Sequence, residues 1–490
     1  MTNSEWAFAT ASELTQALSA KKVSAVELAR DAISRIERYD SKINAVCVRD
    51  FSRALEAAKA ADEALARGQR KPLLGIPMTV KESFNVVGTP TTWGFEPYKD
   101  FMPNEDALAI SRVKEAGAVI IGKTNVPVGL GDWQSYNSIY GATNNPFDLG
   151  RTPGGSSGGS SAALAAGYGA LSMGSDIGGS LRVPGHYCGI YAHKPTFALA
   201  PARGHTPPPA PPLPSNRDLS VIGPMARSAA DLALLLDIMA GPDALDMGVG
   251  YRLNLPPPRH GTIRDFRILV LDNHPLLATG NSVRTAVNDL ADKLAKLGAK
   301  ISRESPLLPD LAKSSRLYMR LLMSFLAAIY IPEVYAELQT QASQLKADDD
   351  SLRAERIRGS TMSHRDWVLA DSARGLLQAQ WRELFRTFDA VISPVMPTPA
   401  FTHDHSADQE MRTIDIDGTS YPYVDQLVWP GLATAPGLPA TAIPVTLSSE
   451  GLPIGVQIVG PWLEDLTPLK LAELIEREFG GFQAPAAFAT

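Results

Sequence analysis

The sequence predicts an α/β fold, because segments with helical periodicity alternate with short apolar runs typical of buried strands. Capping residues and glycines mark where several of the helices begin and end. The chain has 490 residues, of which 44% are hydrophobic and 20% charged, as in an ordinary globular protein. Length alone would divide such a chain into about two to four domains. A chain of this size can bury catalytic groups without disulfide support.

The N-terminal third is predicted to be helical before the first strand. Ser24 and Glu27 have the spacing of a capping box, and apolar residues follow on one helix face. An Ala-rich helix is expected over residues 51–66. Residues 73–80 then form a short apolar run that leads into Lys81. Lys81 is therefore expected to lie, partly buried, at the end of a strand.

The alternation continues to the C-terminus. Further helices are expected at residues 106–116, 160–166, 282–298 (with Ser282 as the N-cap), 307–339, 363–388 and 468–479. Further strands are expected at residues 118–121, 170–173, 266–271, 390–393, 441–447 and 454–459. The helical block 307–388 is either a cap over the site or a further layer of helices on the sheet, and both interpretations stay open.

The charge and the cysteine content indicate which partners and which cellular compartment to expect. The 46 basic and 52 acidic side chains give a net charge of −6 without any long run of Lys or Arg, so no nucleic-acid partner is expected. The negative charge also weighs against acidic substrates. Cys47 and Cys188 form no disulfide framework and suit a cytoplasmic protein. The first residues lack the apolar region of a secretory signal, and no stretch of about 18 apolar residues predicts a membrane span.

Three short motifs match known sites but fail in context. Residues 117–124 match a Walker A phosphate loop, but their central residues are apolar and Pro127 opposes an immediate helix. Residues 154–158 match the Gly-x-Ser-x-Gly nucleophile elbow, but a loop precedes them where the elbow needs a strand. His403 and His405 could contribute to a metal site, but no third ligand is suggested. We therefore expect neither a metal nor an organic cofactor.

Three other segments have compositions that are unusual for ordinary helices, strands or loops. Four glycines and three serines occupy residues 154–160, a composition tolerated where the backbone must approach another group closely. Gly178 and Gly179 stand between a predicted strand and Ser180, where consecutive N–H groups can form an oxyanion hole. Lys81 closes an apolar run, so burial should lower its pKa and leave it neutral enough to act as a base.

These segments resemble the core motifs of the amidase signature family. The motifs are Leu-Gly-Ile-Pro-Met-Thr-Val-Lys-Glu (74–82), Gly-Gly-Ser-Ser-Gly-Gly (154–159) and Asp-Ile-Gly-Gly-Ser-Leu-Arg-Val-Pro (176–184). Further matches, which extend the resemblance over nearly the whole chain, are residues 122–127, 140–146, 193–196 and 451–457. The resemblance implies a single amidase signature domain over residues 1–490, with a central mixed sheet sandwiched by helices on both faces. Its parts would be a helical N-terminal segment (10–68), a signature core (73–197) and a possible helical cap (307–388).

Carried over by position, the resemblance implies a Ser–Ser–Lys catalytic group. Ser180 would be the acyl-forming nucleophile, Ser156 with a cis peptide bond before it would relay the proton, and Lys81 would be the final base. The N–H groups that would form the oxyanion hole are those of Ile177, Gly178, Gly179 and Ser180. The positions that would contact the substrate are Leu130, Gly131 and Ser157. Asp176 and Arg182 are expected to be a structural pair that holds the glycine turn.

The resemblance leaves two functions to compare. The first is a free-standing amidase, a monomer or homodimer that hydrolyses a small-molecule amide, aryl amide or carbamate. The alternative is the A subunit of a tRNA-dependent amidotransferase, which transfers ammonia from glutamine. Such subunits typically carry Asp-Thr-Gly-Gly-Ser, whereas this chain has Ile177 in place of the threonine. Phe197 and Ala198 also follow the Lys-Pro-Thr motif where a Tyr-Gly segment is typical, which favours the free-standing amidase.

Overall fold

The computed structural model describes residues 5–489, and its strands and helices are numbered in chain order. The strands are β1 (Val46–Arg49), β2 (Pro77–Lys81), β3 (Val119–Thr124), β4 (Tyr136–Asn137), β5 (Gly141–Ala142), β6 (Leu171–Asp176), β7 (Tyr191–Lys194), β8 (Val221–Ala226), β9 (Arg267–Val270), β10 (Lys300–Ser302), β11 (Ala390–Pro394), β12 (Thr413–Ile416), β13 (Thr419–Pro422), β14 (Ala440–Leu447) and β15 (Pro453–Val459). The α-helices are α1 (Ala11–Ser19), α2 (Ala25–Ile43), α3 (Phe51–Ala66), α4 (Leu108–Glu115), α5 (Gly158–Ala165), α6 (Arg182–Tyr187), α7 (Ala229–Met239), α8 (Asn281–Lys296), α9 (Leu311–Leu326), α10 (Pro332–Gln344), α11 (Leu352–Ser360), α12 (His364–Thr387), α13 (Val428–Thr434) and α14 (Leu466–Phe479).

One 11-stranded sheet organises the chain, with the strand order β1-β3-β2-β6-β8-β7-β14-β15-β11-β9-β10. Strand β2 pairs in parallel with β3 and β6, and β9 pairs in parallel with β10 and β11. The strands between these two groups pair antiparallel, as does β1 with β3. The predicted mixed sheet is therefore confirmed. Because β2 and β6 run in the same direction, their carboxyl ends meet at one edge of the sheet.

Each face of the sheet has its own hydrophobic core. In β9, Ile268 and Val270 belong to one core and Leu269 to the other. In β11, Ile392 lies in the first core and Val391 in the second. Successive strand residues point to opposite faces, so this division separates the two sides of the sheet. Helices α2, α3, α7, α8 and α14 contribute to the first core, and α6, α9, α12 and α13 to the second, which confirms helices on both faces.

The predicted helix ends are confirmed at some positions and wrong at others. The Ser24 hydroxyl accepts a hydrogen bond from Glu27 N–H, and the Glu27 carboxylate accepts from Ser24 N–H at 2.8 Å, which completes the predicted capping box. Ser282 is not the N-cap of α8, because that helix begins one residue earlier, after Gly280. Its first N–H group donates to Asp417 at 2.8 Å, so a distant carboxylate caps the helix.

The helical block 307–388 contains four separate α-helices, α9 to α12. The single helix expected over residues 307–339 is wrong, because α9 ends at Leu326 and Ile331 is extended. Pro332 then opens α10 as its first residue, a position where its missing N–H and fixed φ are favourable. Across residues 5–489, helices that combine the length and the hydropathy needed to cross a membrane are absent.

Candidate active site

Three chain segments converge where β2 and β6 end. Lys81 is the last residue of β2, Ser156 lies in the loop before α5, and Ser180 lies in the turn after β6. The Ser157 N–H group donates to the Ser180 carbonyl at 3.2 Å, which joins the two serine segments. The side chains of Lys81, Ser156 and Ser180 are all buried. The three residues expected to be catalytic therefore come together at one edge of the sheet.

Lys81 is held in a fully buried position by two serines. Its Nζ atom lies 2.7 Å from Ser156 Oγ and 2.9 Å from Ser175 Oγ. Burial lowers the pKa of Lys81 well below its usual range, and the nearby Asp176 carboxylate only partly opposes this effect. A lower pKa increases the fraction of the lysine that is neutral, and a neutral lysine has a lone pair that can accept a proton from a hydroxyl group.

The loop that carries Ser156 packs directly against its surroundings. The peptide bond between Gly155 and Ser156 is cis, as the resemblance implies. A side chain has no room at position 155, since a Cβ atom there would clash with the Asp132 carbonyl oxygen. Ser157, expected to contact the substrate, is fully buried, and its Oγ lies 3.4 Å from both the nitrogen and the carbonyl oxygen of Ser175. The structure thus places Ser157 against the backbone of β6.

The turn at residues 177–180 is fixed by hydrogen bonds to its carbonyl groups. Ile177 O accepts from the Tyr318 hydroxyl at 2.6 Å and Gly178 O accepts from Trp133 Nε1 at 2.8 Å. Gly179 O accepts from the N–H of the first turn of α6 at 2.7 Å. In a trans peptide, the N–H points opposite to the carbonyl. Each of these contacts therefore fixes the direction of the next residue's N–H group.

The four N–H groups expected to form the oxyanion hole are not equivalent. The Gly179 N–H already donates to Asp176 Oδ1 at 2.9 Å. For the N–H groups of Ile177, Gly178 and Ser180, hydrogen-bond acceptors are absent among residues 5–489. Three donors therefore remain available to a ligand, and the fourth helps to hold the turn.

Asp176 and Arg182 form the structural pair that the sequence predicts. Both side chains are fully buried, and the guanidinium donates to both carboxylate oxygens, at 3.0 and 2.9 Å. Burial alone would raise the pKa of the Asp176 carboxyl, but Arg182 holds it below its usual range. Arg182 also donates to Thr434 at 2.9 Å and to Gln457 at 2.8 Å, so the glycine turn is tied to α13 and β15.

Two further buried residues of opposite charge, Lys123 and Glu82, lie beside the site. Lys123 comes from the segment that matched a Walker A loop, but this segment is strand β3, so that match is rejected. Lys123 Nζ donates to Thr91 Oγ1 at 2.8 Å, and burial lowers its pKa to about 8 against the effect of Glu82. Glu82 directly follows Lys81 and accepts from the Trp93 N–H at 3.0 Å. Glu82 therefore ties the segment around Trp93 to the backbone next to Lys81.

The remaining candidate residues lie nearer the surface. Leu130 is partly exposed with a left-handed backbone (φ 61°), and Gly131 is exposed. The Gly129 N–H donates to the Trp93 carbonyl at 2.8 Å, which places this segment next to the chain that follows Lys81. His403 lies 3.1 Å from Asn144 Oδ1, and the His405 ring stacks on Tyr136. Groups of three or more potential metal ligands are absent from the described part of the chain.

Sequence reasoning missed two residues that position the site. Ser175, which contacts Lys81, directly precedes the motif of residues 176–184, so its position next to that motif was a usable signal. Tyr318, which holds the Ile177 carbonyl, lies 141 residues from it in the sequence. No short-range pattern could have assigned that contact, since it depends on how α9 packs over the sheet.

The chain is similar to known proteins over nearly its whole length. The family model named Amidase matches residues 27–469. The A subunit of the glutamyl-tRNA(Gln) amidotransferase of Anaeromyxobacter dehalogenans (strain 2CP-C) is 32% identical over 488 residues, covering 96% of both chains. Fatty-acid amide hydrolase 2-A of Danio rerio is 31% identical over 502 residues, covering 97% of this chain and 89% of that relative.

A solved structure shows the same architecture. It is a chain from a vestigial protein complex that reveals the evolutionary origins of an s-triazine catabolic enzyme. It superimposes with a TM-score of 0.80 at 30% identity and covers 97% of this chain and 100% of its own. Together with the family match and the similarity to two amide-processing relatives, this shows that the chain belongs to the amidase signature family of hydrolases.

Proposed function

We propose that the chain is a free-standing amidase that hydrolyses a C–N acyl bond through an acyl-enzyme on Ser180. The observation that carries this proposal is the contact of 2.7 Å between Lys81 Nζ and Ser156 Oγ inside a fully buried site. The substrate is a small-molecule amide, aryl amide or carbamate, and the enzyme acts in the cytoplasm as a monomer or homodimer, without nucleic acid. Its relay uses groups of the chain alone and calls for no metal or organic cofactor.

The reaction begins with two proton transfers. Ser180 Oγ attacks the carbonyl carbon while its proton passes to Ser156, and the Ser156 proton passes to neutral Lys81. The proton then returns through Ser156 to the leaving nitrogen, so that the amine departs and Ser180 keeps the acyl group. Water attacks this ester through the same relay, which releases the acid and restores Ser180.

The tetrahedral intermediate needs donors aimed at its oxyanion. We assign this role to the N–H groups of Ile177, Gly178 and Ser180, which have no acceptor among the described residues, and the bound carbonyls of Ile177 and Gly179 fix the direction of the Gly178 and Ser180 N–H groups. Such donors stabilise charge that develops only in the transition state, and the loss of one typically costs about 10²–10³ in kcat. Residues that hold these N–H groups in place should therefore affect kcat more than KM.

Tyr318→Phe should lower kcat for an anilide about tenfold or more and leave KM within about threefold, because it frees the peptide that carries the Gly178 N–H. Binding of a boronic acid, which mimics the tetrahedral intermediate, should weaken in parallel with kcat. The control is Tyr168→Phe, since Tyr168 is also fully buried but its hydroxyl has no hydrogen-bond partner among the described residues. A Tyr318→Phe enzyme with normal kcat would show that Tyr318 only fills space.

The rate of amide hydrolysis should rise with pH and then level off. Lys81 must be neutral to accept a proton, so protonation below its folded-state pKa removes activity, and deprotonation above it restores activity. Burial depresses this pKa, so the rise should occur well below the usual value of about 10.4 for lysine. The measurement is kcat/KM for one anilide across pH. A rate that keeps rising through the ordinary lysine range would contradict a depressed pKa.

The similarity to an amidotransferase subunit supports a second candidate function. The relative from Anaeromyxobacter dehalogenans is 32% identical across 96% of this chain, so a role in ammonia transfer from glutamine is the alternative. Ile177 in place of the threonine expected in such subunits speaks against it. The two functions differ in whether the isolated chain is active on simple amides.

A substrate panel tests the proposal. The isolated protein is assayed on primary amides, anilides, carbamates and esters, and on glutamine as the source of ammonia. We expect hydrolysis of at least one anilide or carbamate without any partner protein. Hydrolysis confined to glutamine, and increased by amidotransferase partner subunits, would favour the alternative.

A further inference from the structure

Arg217 is a partly buried cation placed between two aromatic rings. Its guanidinium carbon lies 5.5 Å from the centre of the Trp93 ring and 5.3 Å from the centre of the Phe325 ring. Among residues 5–489, hydrogen-bond acceptors and ion-pair partners for this guanidinium are absent. Burial lowers the pKa of Arg217, although an arginine remains charged at any physiological pH. The site therefore holds a positive charge that no group of the described chain neutralises.

Two carboxylates on segments next to Arg217 and its stacking partner Trp93 are already engaged. Asp218, the next residue, forms an ion pair with Arg374 at 2.6 Å. Glu82 accepts from the Trp93 N–H at 3.0 Å. The Asp218 contact also anchors the turn that carries Arg217. Partly desolvated charges are costly unless they are paired, so a held and unpaired guanidinium points to an anionic ligand.

Arg217 lies close to the proposed reaction centre. Trp93, on which it stacks, donates through Nε1 to the carbonyl of Ser83 at 3.0 Å, and Ser83 follows Lys81 by two residues. Phe325 lies seven residues after Tyr318 on α9, hence on the same helix face and roughly 10 Å further along the axis. The contact of Arg217 with Phe325 therefore lies about two helical turns from the contact of Tyr318 with the oxyanion turn.

His205 adds a second unpaired polar group beside Trp93. The two rings lie 5.0 Å apart, and His205 Nε2 lies 2.9 Å from Ser83 Oγ. The other ring nitrogen, Nδ1, is buried and has no hydrogen-bond partner within the described part of the chain. Burial keeps the pKa of His205 well below its usual range, and the charge of Arg217 adds to this effect. With the Ser83 hydroxyl donating to Nε2, the neutral imidazole presents an Nδ1–H donor.

We propose that Arg217, with His205 beside it, binds a carboxylate at the far end of the acyl chain of the substrate. The inference rests on the proposed hydrolysis at Ser180 and names its substrate class: amides of dicarboxylic acids that keep one free carboxylate. A guanidinium suits this ligand because its planar fork matches a carboxylate while its faces stack on aromatic rings. The net charge of −6 belongs to the whole chain and does not set the local field at this site.

The test compares charged and neutral substrates of the same shape. The probes are the mono-4-nitroanilides of glutaric, adipic, pimelic and suberic acids, each paired with the isosteric methyl ketone. At the best chain length, we expect the carboxylate to have a kcat/KM about 10- to 100-fold above that of the ketone, the range given by a hydrogen bond to a charged group. Arg217→Gln should remove this preference and change the ketone rate less than about threefold. Arg365→Gln, at an exposed arginine of α12, is the matched control.

A second measurement separates recognition from catalysis. The Ser180→Ala protein is titrated calorimetrically with the same probes, with and without Arg217→Gln. If the carboxylate probe binds more tightly than the ketone and this difference disappears in Arg217→Gln, the proposal is supported. If, in addition, the wild-type protein releases no nitroaniline from the probe, the proposed hydrolysis fails while the proposed recognition stands. Equal affinity and equal turnover of carboxylate and ketone would overturn the proposal. The proposal would also be overturned if Arg217→Gln weakened the binding of both probes to the same degree.

Discussion

Ser180→Ala is expected to abolish turnover while the protein stays folded. The change removes the single oxygen that would form the acyl-enzyme, and the site retains only the binding and oxyanion contacts. Loss of a nucleophile that acts as one unit with its base costs about 10⁶ in kcat in a well-studied serine hydrolase. The measurement is kcat/KM for the best amide of the panel, with thermal unfolding as the check on folding.

The control for this experiment is an exposed serine. Ser372 lies on the surface of α12, and Ser372→Ala should keep normal activity. Residual activity of Ser180→Ala above about a thousandth of the wild-type rate would move the nucleophile to another residue. In that case Ser156, which matches a nucleophile elbow in sequence, becomes the first residue to examine.

Substitution of Lys81 should lower kcat/KM much more for amides than for esters, and this difference should be larger than for the other residues of the site. Lys81→Ala removes the proposed final base, so amide hydrolysis should fall by several orders of magnitude, about as far as for loss of a triad member. Esters with a good leaving group should lose less, because their leaving oxygen needs no proton from Ser156. The measurement is kcat/KM for one amide and one ester of matched acyl group, in wild type and variants.

Lys81→Arg distinguishes a base from a positive charge. A guanidinium keeps the charge but cannot lose its proton, so this variant should be as poor as Lys81→Ala on amides. The site supports this expectation, because Lys81 is fully buried and its Nζ contacts two serine hydroxyls, those of Ser156 and Ser175. Near-normal amide hydrolysis by Lys81→Arg would mean that position 81 supplies charge alone, and the relay would have to be abandoned.

Local patterns in the sequence predicted those parts of the fold that depend on neighbouring residues. The capping box at Ser24 and the helix over residues 51–66 are confirmed, because caps and helical periodicity act over a few residues. Strand β1 was missed, since its four residues carry no clear alternation and pair antiparallel with β3. The cap of α8 was placed wrongly because Asp417, far away in the chain, supplies it.

The same division between local and distant contacts applies to the site. Lys81, Ser156 and Ser180 could be named from the sequence because each lies in a motif whose glycines reflect a close backbone approach. Tyr318 and Arg217 could not, because their importance comes from contacts across the fold, with Ile177 and with two aromatic rings. Such contacts become visible only when α9 is placed over the carboxyl ends of β2 and β6.

The central claim is that Ser180 carries the acyl group, and covalent labelling tests it most directly. The wild-type protein is treated with a phosphonyl or sulfonyl fluoride, digested, and analysed by mass spectrometry, with the Ser180→Ala protein as the control. We expect one adduct, on the peptide that contains Ser180, and none in the control. An adduct on Ser156 alone, present in both proteins, would contradict the account and make Ser156 the nucleophile.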